Sequence, residues 1–147
     1  MNRSSALVVP RAVLAAVERA AESAYPEEAC GLLAGRRDGS GGLVVTGFRG
    51  SANVATTDRR ETFEVDPAAR FALMRELEGT GAEIVGHYHS HPDHPPEPSA
   101  QDLEHAYEPE LVWLITTVAE GKAGSTRAFA VAADGSCFIA IEIALGP

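Results

Sequence analysis

A chain of 147 residues and 15.5 kDa has room for one domain, read here as residues 1–147, and with 45% apolar and 22% charged residues it can bury a core without disulfides. Acidic residues number 21 against 12 basic ones, and the resulting charge of −9 repels polyphosphate and anionic headgroups, which excludes nucleic acid and membrane surfaces as expected partners. Two cysteines, Cys30 and Cys137, are too few for a disulfide framework and point to a reducing cytoplasm.

The apolar run at 6–9 is broken by Pro10 and Arg11 well short of a signal or membrane-spanning length, so neither segment is expected. Val13, Leu14, Val17 and Ala21 then recur at helical spacing over 10–24, with Pro10 suited to a first turn. The helix stops at Tyr25-Pro26. Residues 29–35 read as a small buried strand that turns through Arg36-Arg37-Asp38-Gly39 into a partner at 42–48. Residues 50–61 are polar enough for a loop, and 63–65 read as a short strand. Asp66 is placed to N-cap a helix that begins at Pro67, carries Phe71, Leu73, Met74 and Leu77, and ends at Gly79-Thr80-Gly81. Residues 82–89 form an Ile- and Val-rich strand, whereas 91–98 hold four prolines in eight residues and read as a loop. A helix over 99–107 and strands at 111–117, 126–132 and 137–143 complete an α/β domain with a mixed, largely antiparallel sheet and helices on its faces.

The densest chemistry lies in Gly86-His87-Tyr88-His89-Ser90-His91-Pro92 and Pro98-Ser99-Ala100-Gln101-Asp102. Side chains two apart on a strand share a face, so His89 and His91 present imidazoles to one point, and Asp102, one turn into a helix, can reach the same point. Two His and a carboxylate form a donor set found at catalytic Zn²⁺, with the fourth position left to water. Three other readings compete. Ser99-x-x-Asp102 is also a helix-capping pattern, His87 shares the strand face and allows a three-histidine set, and Glu27 stands beside Glu28 at the entrance of the 29–35 strand. Cys30 and Trp113 read as core packing, against a thiol nucleophile and a binding platform respectively.

The run His89-Ser90-His91-Pro92, with Ser99 after six more residues and then Asp102, resembles the JAMM motif, H-[ST]-H-P-x(6)-S-x(2)-D, of the MPN+ zinc metalloproteases. Upstream, Glu28-Ala29-Cys30-Gly31 within 26–35 is similar to the E-x-x-G segment of that family, and Asn53, Phe63 and Asp66-Pro67 resemble its bacterial branch. The resemblance implies a single MPN-like domain of cytidine-deaminase-like α/β arrangement. It implies Zn²⁺ held by His89, His91 and Asp102, Glu28 as acid/base for the attacking water, and Ser99 as a donor to the developing oxyanion. Its substrate would be the bond after the C-terminal Gly-Gly of a ubiquitin-like or sulfur-carrier protein, whose side-chain-free tail is expected to lie as an added strand beside the metal. The 45 residues after Asp102 leave no room for the insertions of ubiquitin-gripping members, so the compact bacterial form is expected. The alternatives are a catalytically silent MPN scaffold and a zinc hydrolase of small amides.

Overall fold

A computed structural model describes residues 6–39 and 42–147. Its centre is a strand pair, β2 (Cys30–Arg37) and β4 (Glu83–Pro92), that runs antiparallel and sets Cys30 opposite His89 and Leu32 opposite His87. Gly86 lets β4 approach its other neighbour, β5 (Val112–Ala119), closely: a Cβ there would stand 2.7 Å from the Val112 carbonyl oxygen. β4 and β5 are parallel, and their ladder extends to Pro92 opposite Val118. The strand therefore continues through His91 and Pro92, where the proline density alone predicts a loop.

Outward from β2 lie β3 (Leu43–Ser51), antiparallel to β2, and then β1 (Leu7–Pro10), parallel to β3. β6 (Lys122–Val131) and β7 (Phe138–Ile141) follow β5 by antiparallel pairing. The expected 137–143 strand is in fact two. After Glu142 the chain leaves β6 and pairs as β8 (Ile143–Gly146) with β1, so the eight-stranded order β7-β6-β5-β4-β2-β3-β1-β8 brings its two ends together at one residue. β1 went unrecognised because four residues show no usable alternation; its strand state is set by the two neighbours it joins.

Helix α1 (Arg11–Ala24) follows β1 directly, with Pro10 at the N-cap, and buries Val13, Val17 and Ala21 on one side of the sheet. That side holds the main apolar cluster, including Val9, Leu33, Val45, Tyr88 and Leu114. On the other side α2 (Pro67–Leu77) starts where Asp66 accepts a hydrogen bond from Ala68 N at 3.0 Å and packs Leu73 against Leu32 and Ala34; Phe71 and Met74 face solvent. α3 (Ala100–Glu104) is one short turn, less than the predicted 99–107. The residues expected as a 63–65 strand make a single bridge, Val65 to Asn53. Because β4 is flanked by β2 and β5, it has no free edge, so a tail that adds as a strand near the metal would pair elsewhere than on β4.

Candidate metal centre

Alternation along β4 sends Tyr88 and Ser90 toward the α1 side and His87, His89 and His91 toward α2 and α3. Tyr88 donates its hydroxyl to the Val17 carbonyl at 2.7 Å. Ser90 Oγ accepts from Ala29 N at 2.7 Å, and Ser90 N donates to the Ala29 carbonyl at 3.0 Å. These bonds lock the chain just after Glu28 onto the histidine strand.

On the reactive side, His89 Nε2 and His91 Nε2 lie 3.0 Å apart, and Asp102 Oδ2 lies 3.3 and 3.2 Å from them. His91 Nδ1 faces the Pro95 carbonyl at 2.9 Å, which assigns it the proton and leaves Nε2 as a lone pair aimed at the other two atoms. Two ring nitrogens and a carboxylate oxygen on one point make a cluster able to hold a metal ion, and it is formed by His89, His91 and Asp102 without His87. Asp102 is at the same time the N3 residue of a capping box: it donates N–H to Ser99 Oγ at 3.0 Å while its Oδ2 accepts from Ser99 N at 2.9 Å. The capping and ligand readings thus describe one geometry. Ser99 Oγ accepts in this box, so its own proton stays free to be donated.

Glu27 and Glu28 part company here. Glu27 sits at the surface beside Arg59, at 3.4 Å. Glu28 is 3% exposed, donates its N–H to the Arg59 carbonyl at 2.7 Å, and leaves carboxylate oxygen Oε1 with no partner. Asn53 holds this arrangement: its Nδ2 donates to the Glu28 and Thr62 carbonyls at 3.1 and 3.0 Å, and its Oδ1 accepts from Ala55 N and Glu64 N, both at 3.1 Å. Glu28 and Ser99 line one cleft of about 280 Å³ with His91, His94, Pro95 and Glu97.

The electrostatics follow from burial and pairing. Burial, reinforced by the charges of Asp102 and Glu61, pushes the Glu28 carboxyl up to about 9. Burial also works to raise Asp102, but hydrogen bonds to His89 and His91 outweigh it and hold the carboxylate well below its usual range. Burial lowers His89 and keeps it neutral. At His91 the same burial is overcome by bonds to Asp102 and Pro95, and the ring is raised. Cys30 is buried among the carbonyls of Ser51, Ala52 and Glu64, and its thiol is pushed up to about 12, which suits packing and not nucleophilic attack. Sequence reading singles out Ser90 and Asn53 only as parts of the resemblance and gives neither a role; Ser90 is visible as the opposite-face residue between two histidines, whereas Asn53 acts only through tertiary contacts.

The fold and the cluster together define an α/β protein with a two-histidine, one-carboxylate cluster able to hold a metal ion, its histidines on the central strand. Residues 10–131 match the family of prokaryotic homologs of the JAB domain, and the chain belongs to that family. It is 41% identical over 90 residues to a desampylase of Haloferax volcanii, a match that covers 61% of this chain and 62% of the relative, under two thirds of that protein. It is 31% identical over 123 residues, 84% of this chain and 74% of the other, to a probable TtuB-protein conjugate cleaving protease of Thermus thermophilus. A solution structure of a protein from Desulfitobacterium hafniense superposes with a TM-score of 0.81 at 30% identity, covering 95% of this chain and 92% of that one.

Proposed function

We propose that the protein is a zinc-dependent peptidase or isopeptidase that hydrolyses the bond after the C-terminal Gly-Gly of a ubiquitin-like or sulfur-carrier protein. The observation that carries this reading is the unpartnered Glu28 oxygen, nine-tenths buried beside the His89, His91 and Asp102 cluster. A buried carboxyl with an oxygen left unpartnered costs on the order of 1–3 kcal/mol, a cost that an acid/base role explains and a silent scaffold does not. The names of the Haloferax volcanii and Thermus thermophilus relatives support a protein conjugate as substrate over a small amide.

The residues fit zinc. A tetrahedral site with bonds of about 2.0–2.1 Å spaces its ligand atoms about 3.3 Å apart, close to the 3.0, 3.2 and 3.3 Å found among the His89, His91 and Asp102 atoms. Bound there, Zn²⁺ would supply Lewis acidity, bringing the pKa of a water from 15.7 to about 7 and polarising the scissile carbonyl. Asp102 and the neutral His89 would hold it, with His91 oriented by Pro95. Glu28 would take the proton of the attacking water and deliver it to the departing amine, and a nearby cation would bring its carboxyl back into ionised form for that task. Ser99 would donate its free hydroxyl proton to the oxyanion, a contribution of roughly 2–4 kcal/mol.

Two free cysteines, one buried and one exposed, support a reducing cytoplasm as the working compartment. The deciding experiment incubates purified protein with a ubiquitin-fold carrier joined through Gly-Gly to a lysine. Cleavage at Gly-Gly that stops with chelator and returns with zinc supports the reading. Cleavage that persists in excess chelator, or no cleavage by the zinc-loaded protein, overturns it.

A further inference from the structure

A second cavity, of about 690 Å³, shares no lining residue with the cleft of Glu28 and Ser99 and reaches β4 at His87. Its walls include Phe63, Trp113 and His87, with Thr57 on one rim and Arg70 and Glu108 on another. Phe63 is shared with the metal centre, because its ring stacks on His89 at 4.4 Å and 17°. We infer that this cavity binds the side chain that precedes Gly-Gly in the substrate tail and that it selects a bulky apolar one over an acidic one; the inference rests on the function proposed above.

Three observations carry it. The first is the polarity of the site. Glu28 must hand a proton to the leaving amine, so the amine departs through the cleft that Glu28 and Ser99 line, and the acyl tail approaches from the opposite side, past His89. The second is distance. His87 precedes His89 by two residues on β4, about 6.6 Å along the strand, and an extended peptide advances by the same rise per residue. With the last glycine carbonyl at the His89, His91 and Asp102 point, the two glycines pass the Phe63 ring that covers His89, and the third residue from the cut reaches the level of His87.

The third is the chemistry of the walls. Phe63 is half-buried and offers its ring to an apolar side chain, while Trp113, 1% exposed and packed edge-on against it at 5.9 Å, is the core residue beneath. At the rim, Arg70 Nη1 and Nη2 pair with Glu108 Oε1 and Oε2 at 2.8 and 2.5 Å, tying α2 to the segment after α3. Arg70 is thus already matched and Glu64 adds a further carboxylate to the lining, so an acidic side chain gains nothing there and pays desolvation.

Trp113 is the only tryptophan of the chain, so its emission reads occupancy without a label. The experiment titrates zinc-loaded Glu28→Gln protein with peptides ending in X-Gly-Gly, where X is Phe, Leu, Ala, Gly or Asp. The expected result is a change in Trp113 emission with affinity roughly tenfold or more higher for Phe or Leu than for Gly or Asp. Thr57→Phe, an exposed rim change, should reduce binding of Leu-Gly-Gly by about tenfold and that of Gly-Gly-Gly by less than about twofold. Equal affinity for every X, or no emission change with any peptide, overturns the inference. These readouts are separate from turnover. If peptides bind with the expected preference while wild-type protein cleaves no conjugate, the proposed function fails and the pocket stands; if conjugates are cut without regard to X, the pocket fails and the function stands.

Discussion

On one side of β4, Tyr88 and Ser90 have their polar atoms fully occupied, by the Val17 carbonyl and by Ala29, and the surrounding cluster is apolar. On the other side, two or fewer residues away, His87 and His89 each keep a buried ring nitrogen without a partner. Among the described residues, the remaining unpartnered buried side-chain atoms are on Glu28 and Trp113, and both belong to the histidine side. One strand thus separates structure from chemistry by its period of two. The groups on the α1 side are satisfied within the fold, whereas the buried polar atoms without a protein partner gather on the face that carries the candidate metal centre.

Substitutions on the two faces should therefore fail differently, and the largest effect belongs to the ligands. His89→Ala or His91→Ala should lose bound metal and bring turnover to background, as read by metal analysis and conjugate cleavage, while circular dichroism stays native. Metal retained at full stoichiometry by both variants would move the centre elsewhere.

Next is Glu28→Gln, expected to keep metal and lose about 10²–10⁴ in kcat. Glu27→Gln should stay within about twofold, since it removes only an exposed ion pair. The same variant has a pH signature in metal-free protein. Folded Glu28 keeps its proton to about 9, whereas in the unfolded chain it is lost around the ordinary value of 4.5. Between those values the folded state binds the extra proton, so wild-type stability falls as pH rises. With chelator present, urea melts from pH 5 to pH 8 should show wild type declining relative to Glu28→Gln by on the order of a few kcal/mol. Parallel curves would mean that the carboxylate is solvated.

Smaller effects come from the opposite face. Ser90→Ala leaves the buried Ala29 N–H unpaired and should cost about 1–3 kcal/mol, with turnover reduced through the displaced Glu28 segment and metal content unchanged. Tyr88→Phe should cost about 1 kcal/mol in the same melts and leave turnover as it was. A large loss of activity in Tyr88→Phe would erase the division between the faces.

Much of this centre was legible because it is local. The spacing of His89 and His91 puts both on one strand face whatever the sheet around them, and Ser99 and Asp102 form their capping box from residues three apart. The α1 and α2 helices were legible from periodicity and from Asp66-Pro67. Non-local pairing decided the rest. His91 and Pro92 remain strand only because β5 runs parallel beside them, and the four residues of β1 are strand only because β3 and β8 flank them. Glu27 and Glu28 are chemically equivalent in sequence; it is the 52–65 segment, pinned by Asn53, that leaves one beside Arg59 at the surface and buries the other. The aromatic cavity beside His89 is likewise assembled from α2, β4, β5 and two loops, a convergence that depends on which strands become neighbours and that no run of residues encodes alone.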